Sequence, residues 1–332
     1  MKNSLLNWAA AVALLAQGAV VATGSAMAQQ GEFADYPDQS LNFLAQSRPG
    51  SGFDVTTRAI AETLAKENLI DVPMPVTNMP SGAVGFTTAV TRHANDPYMV
   101  SVQSISAAMN YATGAIEYNH DDVTPIALLI SDCYTVVVRA DSPLQTLDDF
   151  LEALRADPKA FPISGGTSDD RVFYAVLFDK AGGIDATQIN YLGFGGGGEA
   201  AALVLEGSAG AMFSSISEMA GMIRSGQMRA LAMSCGERYP GDLEQVPTLT
   251  EEGVDVTWEN YRYFMGGPDM PEEVVKFWQD KMGEMVQSAT WQEMKDRYLW
   301  SDLFMTEGVD AYLDERQEVI LDVLRRLGVA AR

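Results

Sequence analysis

Histidine is nearly absent from this chain: only His93 and His120 occur in 332 residues. A Ser–His–Asp hydrolase or a His-rich metal centre therefore has almost no material to work with. There is no G-x-S-x-G elbow and no Walker lysine either. His93 falls near the end of a predicted helix and His120 in a polar loop beside Asp121 and Asp122, so both are read as surface residues. Cysteine is equally scarce. Cys133 and Cys235 lie in separate strand-like segments 102 residues apart. An oxidising compartment would permit them to pair, but spacing carries no geometry, and two separate buried thiols is the reading taken from the sequence. Positive charge is short, with 22 Lys and Arg against 45 Asp and Glu, a formal net charge of −23. That argues against nucleic acid or anionic lipid as partners. It leaves an anionic ligand open, because a pocket of backbone amides is locally positive inside an acidic protein.

Long apolar runs are confined to the first residues. Residues 1–28 carry one Lys, an apolar stretch around Ala9 to Thr23, and Ala26-Met27-Ala28 as an A-x-A cleavage site. This is the pattern of a secretory signal peptide, removed from the mature chain. No Cys follows the site, so a lipid anchor is not indicated, and no later run is long enough to span a bilayer. The mature protein is expected to begin near Gln29, outside the cytoplasm, and to be large enough for two lobes.

What the chain has in abundance is short strands that end in small, polar loops. Leu41 to Ala45 reads as a buried strand, Pro49-Gly50-Ser51-Gly52 as a tight turn, and Val55 to Lys66 as a helix, with Asp54 as its cap candidate. A helix start of this kind attracts anions, since unpaired N–H groups and the helix dipole point the same way. The device recurs. Asn78-Met79-Pro80-Ser81-Gly82-Ala83-Val84-Gly85 follows a second strand, and Gln103-Ser104-Ile105-Ser106 ends a third. Ser164 to Asp170, Gly193 to Glu199 and Ser214 to Ser217 close later ones. Strands alternating with helices predict an α/β fold with largely parallel sheets, in which ligands bind off the carboxyl ends of the strands. Gly193 to Gly198 also matches G-x-G-x-x-G with Glu218 20 residues on, but a mid-chain position in an exported protein speaks against a dinucleotide.

Taken in order, these runs resemble the substrate-binding proteins of tripartite tricarboxylate transporters, the periplasmic Bug family. Pro49 to Asp54 with Arg58 is similar to the family's first P-G-G-x-x-D loop, and Asn78 to Gly85 to its second. Ser164 to Asp170 resembles the S/G-rich fourth loop, and Phe194-Gly-Gly-Gly-Gly-Glu199-Ala200 the F-x-G-G-G-E-A turn. Ile223 to Ala232, Glu237-Arg238 and Val246-Pro-Thr248 complete the pattern, which covers essentially the whole mature chain. The chain departs from it at Ser47, Arg48 and Arg171, and in Asn95-Asp96-Pro97-Tyr98.

The resemblance implies a two-lobed, type II periplasmic-binding fold of the Venus-flytrap kind. Residues 29–134 plus 262–332 would form one lobe and 135–261 the other, with crossings near Cys133 and Tyr261. It implies no catalysis and no cofactor or metal. It implies capture of a small di- or tricarboxylate such as citrate, and delivery to a membrane permease of a tripartite transporter. Ligand contacts are expected from Arg48, Ser51, Gly52, Phe53, Asp54, Ser81, Gly82, Ala83 and Val84 in the first two loops. Ser104, Ser106, Thr167, Ser168, Asp169, Gly195, Gly196, Gly197, Ser214 and Ser215 supply the rest. Gly52 is expected to approach the ligand through its backbone, and Arg48 to point inward. Asp54 is read first as a helix cap, with direct contact to a ligand hydroxyl or amine as the alternative. An aromatic carboxylate walled by Phe53 or Phe194 is a second ligand class, and an exported enzyme using Ser168 or Asp169 a third reading.

Overall fold

The strand, turn and helix at Leu41 form as read: β1 (Asn42–Ala45) leads into α1 (Gly52–Lys66). A computed structural model describes residues 33–326 and Gly328, less Thr167, Gly195, Gly196 and Pro240, and only the backbone of Ser168. The expected leader lies outside the described residues. Residues 33–38 belong to a separate small unit, a turn in which the Phe33 ring meets Tyr36 edge-on at 6.1 Å. The rest follows from β1.

After α1 come β2 (Val76–Asn78), α2 (Gly82–Arg92), β3 (Met99–Ser104) and α3 (Ile105–Ala112). The 16-residue strand β4 (Thr124–Arg139) then runs through the middle of the sheet. Beyond it lie α4 (Leu147–Ala156), β5 (Ile163–Gly165), α5 (Ser168–Ala181), β6 (Tyr191–Gly193) and α6 (Gly197–Glu206). β7 (Ala211–Ser215), α7 (Ile216–Arg224) and β8 (Met228–Met233) follow. The chain returns through β9 (Glu259–Gly266), α8 (Glu272–Val286), α9 (Ala289–Tyr298), β10 (Ser301–Met305) and α10 (Val309–Arg326).

The strand order is β2-β1-β3-β9-β4-β7-β5-β6, with β8 and β10 also paired to β4. Both wings are parallel: β1 with β2 and β3, β5 with β6 and β7. The centre is antiparallel, because β9 opposes β3 and β4, and β4 opposes β7, β8 and β10. The sheet is therefore mixed, and the parallel pairing expected from the sequence is confined to the wings. Strand–helix–strand crossovers return the chain in the same direction there. β9 instead reaches the centre through an irregular loop.

β4 holds the two halves together. Its residues 124–133 pair with β9, and 134–139 with β7 and β8. Every residue from Ile126 to Val138 is buried, which explains why the segment reads as an almost unbroken apolar run. One aromatic cluster, Phe43, Phe264 and Trp278, packs beside β1 and β9, with ring centroids 5.0–6.2 Å apart. Another, Phe150, Phe173, Phe178 and Phe213, packs beside β7.

Two sequence expectations fail. Cys133 in β4 and Cys235 just after β8 form a disulfide, with Cα atoms 5.3 Å apart. Pairing of β4 with β8 supplies the proximity that spacing could not reveal. His120 is buried, not superficial, and lies 3.1 Å from Asp314 of α10. His93 caps the end of α2 and lies 2.7 Å from Asp96. No helix among the described residues is long and apolar enough to cross a membrane.

Candidate functional site

Apart from Ser288 before α9, serine precedes the first helical residue at four places: Ser51 before α1, Ser81 before α2, Ser104 before α3 and Ser215 before α7. All four line one cavity of about 470 Å³. Ser81 accepts from the Val84 amide at 3.4 Å and Ser104 from the Ser106 amide at 3.2 Å. Ser51 and Ser215 make no such bond to their own helices. Amides at these starts are therefore left for whatever enters the cavity.

The first loop is held open by Asp54. Its carboxylate accepts from the Gly50 amide (2.8 Å), from Asn78 Nδ2 (2.8 Å) and from Arg58 Nε (2.9 Å). Burial works against this charge, but those three donors outweigh it and hold its pKa below the ordinary value. Asp54 is thus neither the cap of α1 nor a lining residue; it ties the turn to the end of β2. Gly50, at φ +83°, makes the turn. Gly52 has a different task from the one expected. A Cβ placed there would stand 2.9 Å from Arg262 Nη2, so what approaches its backbone is a protein guanidinium. Gly85 in α2 packs against Gln46, where a Cβ would meet the Cα at 2.9 Å.

Arg48, Ser51, Gly52, Phe53, Ser81, Gly82, Ala83, Ser104, Ser106, Asp169 and Ser215 all line the cavity, as the sequence suggested. Arg48 is exposed, at the end of the lining formed by the first loop. Others are not brought in. Val84 is 46 % exposed and outside the lining. The buried Ser214 hydroxyl donates to Glu218 Oε2 at 2.8 Å, and Gly197 backs onto the same pair. Arg171 is exposed and lines two neighbouring cavities instead, one of them with Phe194. Thr167, Gly195, Gly196 and the Ser168 side chain lie outside the described residues.

Several lining residues were missed, chiefly Tyr134, Asp170, Glu218, Asn260 and Arg262. Arg262 is buried in β9 and donates to the Thr56 hydroxyl and, at 3.4 Å, to the Gly52 carbonyl. Its Nη2 lies 3.5 Å from Asp132 of β4, which is fully buried and also accepts from Ser217. Burial pushes the Asp132 carboxyl up to about 6, against the pull of Arg262 and Ser217. A lone Arg inside the run Tyr261-Arg262-Tyr263-Phe264 was the available signal, since a charge in a buried strand needs a partner. Three polar atoms of the lining have no partner: Ser47 Oγ, Tyr134 OH and Asn260 Oδ1. Burial, then Asp169 and Asp170, keep the Tyr134 phenol protonated by raising its pKa.

A larger cavity of about 680 Å³ lies around Arg224, Arg238, Lys295 and Trp300. Its cations are already paired, with Asp242, Glu251 and Asp302. Among the described residues one trio could hold a metal, His120, Asp121 and Asp314, and it is not part of the Ser-lined cavity. Its members already serve His120 and the Asn119 cap.

A two-lobed α/β fold with helix starts gathered on one cavity defines a periplasmic-binding-protein fold of type II. The profile of the tripartite tricarboxylate transporter family receptor (TctC) matches residues 56–320, and the chain belongs to that family of periplasmic solute-binding proteins. It is similar to protein BugT of Bordetella pertussis, 26 % identical over 225 residues, 66 % of this chain and 67 % of BugT. A TctC solute-binding protein from Polaromonas superposes with a TM-score of 0.69 at 25 % identity, covering 88 % of this chain and 99 % of that one. MatC from Rhodopseudomonas palustris, solved with bound malate, gives a TM-score of 0.74 at 18 % identity, covering 87 % and 100 %.

Proposed function

We propose that the protein is exported by its N-terminal leader and captures a small carboxylate in the Ser-lined cavity. It then delivers that ligand, unaltered, to the membrane permease of a tripartite tricarboxylate transporter. The observation that carries this reading is the convergence of the α1, α2, α3 and α7 starts on one cavity. One helix start contributes only about 0.3–1 kcal/mol toward an exposed anion, so several must act together in a site that closure dries out. Micromolar binding needs about −8 kcal/mol net. Malate in MatC supports a carboxylate ligand. The lobes would be residues 29–134 plus 262–332 and residues 135–261. In support, β4 exchanges β9 and β10 for β7 and β8 between Cys133 and Tyr134. Phe53 in the lining keeps an aromatic carboxylate as a second ligand class, whereas Phe194 lies outside it.

Calorimetric titration with a panel of malate, adipate, citrate and benzoate tests the reading. Gly52→Val provides the internal control, because its side chain would displace Arg262. The variant is expected to lose roughly 1.5–3 kcal/mol, the range for a hydrogen bond to a charged group. A folded Gly52→Val that binds like wild type would remove the first loop from the site. Conversion of a carboxylate during the titration would make the protein an enzyme instead.

A further inference from the structure

Behind the wall of the Ser-lined cavity sits one carboxyl with too few donors. Asp132 of β4 is fully buried and is not itself part of the lining. Its Oδ2 accepts from Ser217 of α7 and lies 3.5 Å from Arg262 Nη2, a long contact for a charged pair. Its Oδ1 meets no donor among the described residues. In the β4–β9 register Asp132 stands opposite Asn260, so both side chains leave the same face of the sheet. Asn260 Oδ1 is likewise buried without a donor. Two neighbouring acceptors therefore lack a hydrogen, and a proton on Asp132 would supply it.

Arg262 connects this carboxyl to the first loop. Its Nη1 is held by the Thr56 hydroxyl and the Gly52 carbonyl. The Nη2 that faces Asp132 is also the atom that a Cβ on Gly52 would meet, at 2.9 Å. One nitrogen thus stands between Asp132 and the first loop, and both Arg262 and Asn260 line the cavity in front of Asp132. A ligand carboxylate at that loop would compete for the nitrogen and bring a negative charge toward Asp132. Both effects favour the neutral acid.

The other groups around Asp132 give its charge little help. Burial disfavours that charge most, and Glu218 of α7 adds to the effect, while Ser215 offers only a hydroxyl. Tyr134 of β4 and Tyr239, after β8, are buried phenols, kept protonated chiefly by that burial. Glu259 of β9 lies opposite Cys133, and Asp302 of β10 is paired with Lys295 of α9. In this arrangement the carboxyl titrates at about 6, so it is about nine-tenths ionised at pH 7.

We propose that carboxylate binding is coupled to proton uptake: Arg262 turns an N–H from Asp132 to the ligand, and Asp132 takes a proton on Oδ1 and donates it to Asn260 Oδ1. This rests on the carboxylate reading above and holds for any carboxylate bound at the first loop. The one bond made is O–H at Asp132, its proton supplied by water or buffer, and Arg262 stays a cation throughout. Asp132 does not touch the ligand; it is a positioning residue that sets how freely Arg262 is engaged. Affinity therefore rises as pH falls, because the bound state holds the extra proton.

Calorimetric titration at about pH 7 in PIPES, HEPES and Tris, whose ionisation enthalpies differ, counts the protons taken up. The probe is whichever of malate, adipate, citrate and benzoate binds most tightly. Wild type is expected to take up about half a proton or more per ligand at pH 7, and its affinity to be about fivefold or more higher at pH 6 than at pH 8. Asp132→Asn should lose most of both, since the ligand's own carboxyls titrate alike with either protein. If that variant does not fold, infrared difference spectra of wild type with a carboxyl-labelled ligand decide: binding should bring up the carbonyl stretch of a protonated protein carboxyl, and its absence overturns the proposal. Uptake that persists in folded Asp132→Asn, or wild-type binding with no uptake, overturns the proposal and leaves the carboxylate receptor standing. A protein that binds none of the four acids overturns both.

Discussion

Asp132 is the residue on which pH acts most directly. Its carboxyl titrates near 6 in the folded protein, against an ordinary value of 3.8, because burial outweighs the help of Arg262 and Ser217. Between those values the folded state holds a proton that the unfolded chain has released. Stability from this group is therefore fully present below about pH 4 and falls as pH rises through 6, by about 3 kcal/mol in all. Asp132→Asn cannot titrate. It also leaves Arg262 without its counter-ion, a change that by itself destabilises. The difference in unfolding free energy between variant and wild type should nevertheless move in the variant's favour by about that same 3 kcal/mol between pH 4 and 7. Urea titrations across this range measure it, and a pH-independent difference would show that Asp132 is ionised in the fold throughout.

At the scale of elements, the site depends on how closely α2 can approach the end of β1. Gly85 makes that approach, since a Cβ would stand 2.8–2.9 Å from Cβ, Cα and Cγ of Gln46. Gln46 cannot easily yield. Its amide is held by Ser101 at 2.9 Å and by Gln103 at 2.6 Å, and Gln103 in turn meets the Ser104 amide and the Ser106 hydroxyl. Gly85→Ala should therefore cost roughly 1–3 kcal/mol of stability, the range for an overpacked contact. It should weaken ligand binding as well, because the Ser81 start moves with the helix. Loss of stability in melting curves with binding untouched would mean that α2 does not carry the ligand.

For the whole molecule, two tests concern the join at β4. The Cys133–Cys235 bridge closes a loop spanning 102 residues of sequence, so replacing both cysteines by serine should lower stability by about 2–4 kcal/mol. A pair of variants matched to wild type in urea midpoint would show that the bridge adds nothing to the fold. Closure is the other. Lining residues come from loops before α1, α2 and α3 and equally from α5 and α7, on either side of the join. Ligand should therefore compact the protein, and small-angle scattering with saturating ligand should give a smaller radius of gyration. An unchanged radius alongside proven binding would speak against lobe closure.

Local features were legible in the residues themselves. The run from Leu41 to Glu67 announced its strand, its glycine turn and its helix, because a short apolar run, small residues and helical spacing act over a few positions. The serines that start α1, α2, α3 and α7 were visible for the same reason. Even Glu218 and Asp169 were singled out, although Glu218 was noticed only as the acid that follows a glycine motif. What tertiary structure decided is who stands opposite whom. Thr124–Arg139 became one continuous strand although only a strand-like segment at Cys133 was read there, and its register brings Cys133 near Cys235, and Asp132 near Arg262 of β9. The same packing buried His120, turned Ser214 away to Glu218, and set Arg262, not the ligand, against Gly52. Sequence periodicity reports which face of a strand is apolar, but partners across a sheet are fixed by register over a hundred or more residues, and no local pattern encodes that distance.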